Sequence, residues 1–336
     1  MITDKKISVK TTYIFILVAM LILVFILSLS LGSVSVSFGN IINALFGKGS
    51  SSSEVIIRGI RLPRVTGGLL AGVGLSVAGV VLQGVMNNAL ASPNTIGVGS
   101  GAGFFVMLSF ILFPAKVWLQ PLFAFGGALI ATLLIFALAY FSDTSRITII
   151  LAGITVSSFL SAGINLLKTL NTDIAINLNS FLVGSLSGIS FRDIALPSFG
   201  IITGFVIAVI MAKPLNMLGL GEDVARSLGL RVGAVRFILL VISSVLAGCV
   251  VSYAGLLSFA GLIVPHICRK LFGNDARLLI PCSAILGGSF VMLCDLLSRV
   301  VFAPYEFPAG IVMSFVGGPF FIYLLLRRKG GRRVNA

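Results

Sequence analysis

The sequence predicts an all-α polytopic membrane protein with about ten transmembrane helices, one of them a half-length segment. The chain of 336 residues is 57% hydrophobic and only 10% charged, and its mean hydropathy is +1.13. Apolar runs of the ~17–25 residues needed to cross about 30 Å of hydrocarbon recur along almost its whole length. Short clusters of Lys and Arg separate these runs, as is typical of cytoplasmic loops in membrane proteins. We therefore expect residues 1–336 to form a single transmembrane domain.

The charge and the cysteines exclude several classes of protein. A formal net charge of +14 would suit a nucleic-acid partner if it were concentrated on one surface. It is divided among short loops instead, so we predict contact with the lipid bilayer and no nucleic acid. Cys249, Cys268, Cys282 and Cys294 lie in or beside apolar runs without CxxC spacing. This pattern predicts small apolar core residues, and neither a disulfide framework nor a metal site.

The first half of the chain contains five predicted spans. Three lysines precede the first run, and we interpret it as a span because it is long and no small-residue cleavage site follows. Residues 1–12 are then cytoplasmic, and residues 33–60 form an external loop with a short amphipathic piece near Phe38–Phe46. The spans cover about residues 13–31, 63–86, 93–114, 118–141 and 147–167.

The second half repeats this alternation with two long loops. Residues 168–193 are predicted to be an external loop, residues 213–236 a cytoplasmic loop and residues 327–336 a cytoplasmic tail. The apolar piece at 257–267 is too short for a full crossing, so we predict a half-length segment supported by its neighbours. The other spans cover about residues 194–212, 237–253, 278–301 and 308–326.

The distribution of positive charge predicts the orientation. This topology places 16 of the 24 Lys and Arg residues inside and 8 outside. That asymmetry predicts that both termini are cytoplasmic. Ser76–Val81 in the second span also resembles Ser252–Leu257 after the seventh span. The two matches lie five spans apart, and an odd separation means opposite orientation, so the sequence hints at an inverted repeat of two five-helix halves.

The segment Leu215–Arg236 is the longest polar-containing interruption on the predicted cytoplasmic side. Gly221 can start a short helix, Glu222 and Asp223 complement its N-terminal end, and Gly229 can end it in a left-handed turn. A helix of about two turns is too short to be stable alone in water. We therefore expect docking, either against the membrane domain or in a groove of a partner protein. The apolar side chains that require cover are Leu215, Met217, Leu218, Leu220, Leu228 and Leu230.

Three arginines lie near the predicted outer surface, against the usual charge bias. Arg61 and Arg64 precede the second span, and Arg299 lies near the outer end of the ninth. One interpretation is that their side chains reach the lipid headgroups. The other is that guanidinium groups receive carboxylates from an external protein, a pairing that suits the planar arginine fork. Asp295, four residues before Arg299, is its predicted helical partner.

Several amides and a proline interrupt the apolar pattern between the second and third spans. At that depth amide groups must be satisfied by protein or by a water-filled path. A lining role in a translocation path is one interpretation, and hydrogen bonding between helices is the other. The residues concerned are Gln83, Asn87, Asn88, Pro93 and Asn94.

Catalytic and energy-coupling patterns are missing from the sequence. The one histidine, His266, follows Pro265 at the end of the half-length segment, where a structural hydrogen bond is favoured over metal, haem or proton duty. There is no HExxH, no Ser/His/Asp pattern and no GxxxxGK[ST], so catalysis and nucleotide binding by this chain are not expected. Proton-driven carriers usually need an ionisable group deep in the membrane, and no good candidate is present. Energy for active transport would have to come from another protein.

Five motifs lie in order along residues 61–325. They are Arg61-Leu62-Pro63-Arg64, Gln83 to Pro93 followed by Gly97…Gly101-Ala102, Gly221 to Gly229, Gly261-Leu262-Ile263-Val264-Pro265-His266, and Glu306-Phe307-Pro308-Ala309-Gly310 with Gly317-Gly318-Pro319-Phe320-Phe321. The chain resembles the permease subunits of binding-protein-dependent ABC importers for iron-siderophores, haem and cobalamin. It departs from their pattern at Ala89, where proline is usual, at Val183, near a usual tryptophan, and at Ala276, where histidine is usual.

The resemblance implies a division of labour among chains. Two permease subunits, identical or related, would form a central path in a bacterial cytoplasmic membrane. Two cytoplasmic ATPase subunits would bind ATP and Mg²⁺, so this chain would bind no cofactor and no metal. Arg61, Arg64 and Arg299 would meet glutamates of an external substrate-binding protein. The residues implied to couple to the ATPase are Gly221, Glu222, Asp223, Ala225, Arg226, Ser227, Leu228 and Gly229, and those implied to be structural are Gly261, Pro265, His266, Pro308 and Gly310.

The sequence therefore predicts a permease and not an enzyme. Its cargo would be an iron chelate, with a ferric siderophore favoured over haem or cobalamin. The alternative function is a secondary transporter or channel that works without an ATPase. An intramembrane enzyme is disfavoured because no catalytic constellation is present.

Overall fold

The protein folds into a bundle of helices. A computed structural model describes residues 2–32, 38–45, 54–141, 146–301, 303 and 305–330. The described residues form fourteen α-helices. Parts of the predicted external loop (33–37 and 46–53) and of the predicted tail (331–336) lie outside the described residues. The helices are α1 (Ile2–Ser30), α2 (Phe38–Leu45), α3 (Leu62–Val85), α4 (Val98–Leu112), α5 (Gln120–Phe141), α6 (Arg146–Leu170), α7 (Thr172–Val183), α8 (Phe191–Ile210), α9 (Ala212–Gly219), α10 (Glu222–Ser227), α11 (Val232–Ala254), α12 (Ala260–Phe272), α13 (Ala276–Val300) and α14 (Ala309–Gly330).

Each predicted span coincides with a helix, but not every helix is long enough for a full crossing. Among the described residues, seven helical segments have the length and apolar composition to cross a membrane, and α4 and the apolar part of α14 are shorter. Helix α12 has 13 residues, or about 20 Å at 1.5 Å per residue, which agrees with the predicted half-length segment. The seven long segments are Lys10–Ser30, Val55–Val85, Val117–Tyr140, Ile147–Leu170, Phe191–Ile210, Val232–Ala254 and Ala276–Val300.

Helix α3 lies at the centre of the bundle and packs against α11, α12 and α13. A π-helical turn, Val55–Arg61, runs directly into it. Small residues permit its close approach to neighbours, the usual solution for helices in membranes. A Cβ atom added to Gly79 would lie 2.0 Å from the carbonyl oxygen of Gly261 on α12, which is far inside van der Waals contact.

We expect Gly79→Ala to destabilise the bundle because α3 and α12 would have to separate. Overpacking of this kind typically costs about 1–3 kcal/mol, measurable as earlier thermal unfolding in detergent. Gly126→Ala in α5 is the matched control, since nothing lies within 4 Å of the position its Cβ would take. Equal stability of the two variants would contradict this account of the contact between α3 and α12.

The short internal sequence match does not mark equivalent structural positions. Ser76–Val81 lies within α3. Ser252–Leu257 instead runs past the end of α11 at Ala254, into a turn that begins at Gly255. The match therefore gives no support to an inverted repeat, because one copy is helical throughout and the other ends a helix.

Candidate functional site

Helix α9 packs the predicted cytoplasmic loop at residues 213–236, which we call the coupling loop, against the bundle. Leu215 and Leu218 are buried. Asn216 donates from its Nδ2 to Asp275 Oδ1 at 2.7 Å, and its Oδ1 accepts from the Ala276 N–H at 2.8 Å, which caps the N-terminus of α13. The hydrogen bonds from Asn216 and then from the Arg277 N–H lower the pKa of the Asp275 carboxyl. Its contribution to stability is thus present above its ordinary pKa and is lost as the pH falls through the lowered one.

Helix α10 is held at its start by a buried arginine. The Arg236 Nη2, on α11, lies 2.6 Å from Glu222 Oε1, and Arg236 itself is fully buried. Arg226, the helical neighbour of Glu222, is more distant at 4.0 Å. Gly221 and Gly229 lie on either side of the helix, and both have a positive φ, of 111° and 83°. A positive φ is what the left-handed turn predicted at Gly229 requires.

Apolar side chains on and beside α10 are exposed. Leu220 before the helix, Val224 within it and Leu228 directly after it are 63%, 46% and 57% exposed. We call these three residues the docking stripe. Asp223, Arg226, Ser227 and Gly229 are also exposed, whereas Ala225 is buried. The first interpretation of the loop, docking against the membrane domain, describes α9. Docking of α10 in a groove of a partner protein stays a prediction.

The opposite end of the bundle contains Arg61, Arg64 and Arg299, and we call it the arginine end. Arg61 donates from Nη1 to the carbonyl oxygens of Leu29 at 2.7 Å and Ser30 at 2.9 Å. Arg299 donates from Nη2 to the Ser28 carbonyl at 3.3 Å. These carbonyls belong to the last turn of α1, where the carbonyl oxygens have no N–H donor from a following helical turn. Basic side chains commonly donate to such carbonyl oxygens.

Arg64 is bound by two carboxylates. Its Nε lies 3.0 and 3.1 Å from the two Asp295 oxygens, and its Nη1 lies 2.6 Å from Glu306 Oε2. Asp295 also lies 3.3 Å from Arg299 Nε, which confirms the predicted helical pair. Three guanidinium groups and two carboxylates are thus assembled at this end.

The exposure of the three arginines differs from the expectation. Arg61, Arg64 and Arg299 are only 5%, 4% and 3% exposed. The interpretation that they reach the headgroups is therefore wrong, and their guanidinium groups are not open to an external carboxylate in this structure. The physical reason is that burial in an apolar bundle requires each charge to be compensated internally.

Gln83 links two helices. It is buried, donates from Nε2 to the Gly261 carbonyl at 3.0 Å, and accepts from Arg269 Nη1. Hydrogen bonding between helices, one of the two interpretations of this stretch, therefore describes Gln83. Arg269, on α12, was not predicted as a site residue.

The other amides of this stretch are divided between two cavities. Gln83, Asn87 and Asn88 line a cavity of about 600 Å³ that also reaches Leu220 and Arg269. Pro93 and Asn94 line a much smaller one of about 30 Å³. The structure thus does not gather the five predicted path residues along one wall.

The motif residues predicted to be structural lie at helix contacts. A Cβ added to Gly310 would lie 1.8 Å from the Val183 carbonyl oxygen. The His266 ring packs edge-on against Phe320 with centroids 6.1 Å apart. Its buried Nε2 makes no hydrogen bond within the part of the chain that the structure describes, contrary to the expected structural bond. The remaining members are Gly261 and Pro265, both buried in α12, and Pro308, which precedes α14.

Sequence reasoning missed four residues that these contacts reveal. Arg236 and Arg269 are charges beside apolar runs, and charged residues in such positions usually have a partner or a function. Asn216 and Glu306 had no local signal for their roles. Among the described residues, no group of three or more His, Cys, Asp or Glu side chains is arranged to hold a metal ion.

Comparisons with known proteins agree over nearly the whole chain. The FecCD transport family matches residues 20–327. The iron-uptake system permease protein FeuB of Bacillus subtilis is 35% identical over 305 residues, 90% of each chain. The hemin transport system permease protein HmuU of Yersinia pestis is 32% identical over 310 residues, 90% of this chain and 91% of its own. A solved inward-facing structure of a metal-chelate type ABC transporter has a TM-score of 0.83 and 29% identity, and it covers 94% of this chain and 99% of its own.

Proposed function

Because this chain belongs to the FecCD transport family and is the permease subunit of an ABC importer for iron chelates, we propose that its cargo is a ferric siderophore. The similarity to an iron-uptake permease over 90% of both chains supports this cargo. A hemin permease is similar at 32% identity, so haem is the competing cargo, with cobalamin as a further alternative. The chain is a multi-pass membrane protein, and ATP hydrolysis takes place on a separate subunit.

We infer ten crossings with both termini in the cytoplasm of a bacterium. The seven long segments would be joined by α4, α14 and the half-length α12. The packing of helix pairs supports an inverted repeat: α3 packs against α12 and α13, and α11 packs correspondingly against α4 and α5, while α3 and α11 contact each other. In the ten-span order, α3, α4 and α5 of the first half correspond to α11, α12 and α13 of the second. Each of these contacts therefore has a counterpart when the two halves are exchanged, as expected for an inverted repeat.

The docking stripe supports contact with an ATPase at the cytoplasmic end. Leu220, Val224 and Leu228 leave an exposed aliphatic surface on and beside the short helix α10, and such a surface suits an apolar groove of a partner. Two ATPase subunits would carry ATP and Mg²⁺, and a second permease would complete the path. Movement of α10 would reach α11 through the ion pair between Glu222 and Arg236, and α13 through Asn216.

The arginine end is our candidate for docking an external substrate-binding protein. Its three arginines exceed its two carboxylates, Asp295 and Glu306, by one positive charge, which favours an acidic partner. Asn87 and Asn88 are our candidates for lining the path near its cytoplasmic mouth, together with the other residues of the 600 Å³ cavity.

Uptake by cells that lack this chain tests the cargo. We expect loss of radiolabelled ferric-siderophore uptake, with recovery when the chain is supplied and loss again when cells are depleted of ATP. Hemin and cobalamin uptake in the same cells are the controls. Loss of hemin or cobalamin uptake alone would overturn the siderophore assignment. Uptake that continues without ATP would favour a carrier or channel that works alone.

A further inference from the structure

We propose that Glu306 competes with the binding protein for Arg64, so that a carboxylate of the docking protein must displace Glu306 to bind. This inference rests on the proposed docking at the arginine end. It resolves the conflict between an acidic partner and three buried arginines, because it identifies which arginine can be uncovered and what covers it.

Arg61 and Arg299 are committed to the fold. Their guanidinium groups hold the carbonyl oxygens of Ser28, Leu29 and Ser30 at the end of α1. Turning either group outward would leave those carbonyls without their donors in an apolar environment, at the cost of an unsatisfied buried group. We therefore assign these two arginines a structural role.

Arg64 is different because its two partners differ in exposure. The Asp295 side chain, which contacts Nε and Nη2 of Arg64, is 3% exposed. The Glu306 side chain, which contacts Nη1, is 34% exposed. Glu306 can therefore leave toward solvent while Asp295 stays in place. Arg64 would remain paired during the exchange, which avoids the large cost of an uncompensated buried charge.

The backbone around Glu306 also suits an exchange. Residues 306–308 are non-helical and precede α14. The Phe307 N–H donates to the Ser298 carbonyl at 3.2 Å, which holds the segment against α13. Rotation of the Glu306 side chain alone can then uncover Arg64 Nη1, and one carboxylate replaces another at the same position.

Binding measurements on the assembled transporter test the competition. The complex would be placed in phosphatidylcholine nanodiscs, which contain no anionic headgroups. The probe is the substrate-binding protein of the same importer, loaded with ferric siderophore. We expect Glu306→Gln to tighten its binding about three- to fivefold, the size of one partly exposed ion pair. Glu306→Asp, which keeps the charge but shortens its reach, should tighten it less and guards against a folding defect in the first variant.

Arg64→Gln separates the two hypotheses. We expect it to weaken docking and to remove the effect of Glu306→Gln in the double variant. Unchanged or weaker binding by both Glu306 variants, with weaker docking by Arg64→Gln, would overturn the competition and leave docking intact. Unchanged docking in all the Arg64 and Glu306 variants would overturn both.

Discussion

Val224→Asp should lower ATP-dependent uptake more than tenfold while the permease still inserts and folds. Val224 is the middle residue of the docking stripe and is 46% exposed, so a carboxylate at this position can be hydrated in the isolated permease. A carboxylate at that position would have to enter the partner's apolar groove without compensation. Even about 1.4 kcal/mol of that penalty would weaken ATPase binding tenfold. Uptake and co-purification with the ATPase are the measurements.

Ala234→Asp provides the matched control for this variant. Ala234 is exposed at the same end of the molecule, in the first turn of α11. A carboxylate is favourable there because of the helix dipole. If both variants lose uptake equally, the added charge and not the docking stripe is responsible, and the assignment of the stripe fails.

Asp295→Ala should destabilise the protein by about 3–5 kcal/mol, the usual cost of removing one partner from a buried ion pair. Asp295 is bonded to Arg64 and lies 3.3 Å from Arg299, so its loss leaves two buried guanidinium groups short of compensation. We expect a sharply reduced yield in membranes and earlier thermal unfolding in detergent.

Glu54→Ala is the control for Asp295→Ala. Glu54 pairs with Arg58 at 2.8 Å, but both side chains are substantially exposed. Loss of such a surface pair changes stability by about 0–1 kcal/mol. A comparable loss of stability in both variants would show that the burial of Asp295 does not explain its contribution to the free energy of unfolding.

Helix α13 contacts both candidate sites. Asn216 of the coupling loop caps its first residue, and its last turns carry Asp295 and Arg299. Displacement of the loop relative to the bundle must therefore either break the Asn216 bonds or move α13. The geometry thus gives a physical connection between the two ends.

The coupling loop, residues 213–236, shows how far local sequence reasoning extends. Gly221 and Gly229 were expected to bracket a short helix, and α10 lies between them. Glycine positions and charged termini act within a few residues, so the chain itself encodes them. The anchoring of Glu222 was not predictable in this way, because Arg236 reaches it only after α11 has folded beside the loop.

What the sequence determined by itself was the helical membrane class, the order of the helices and the family. Hydrophobic run length decides whether a segment enters the bilayer, and that is a local property of the chain. The tertiary structure decided the state of the arginines and of Gln83. Arg64 and Asp295 are separated by 231 positions, and Gln83 and Gly261 by 178. A buried polar or charged side chain must have a hydrogen-bond or ion-pair partner. Which residue becomes that partner is decided by helix packing, because packing alone brings residues so distant in sequence within hydrogen-bond distance.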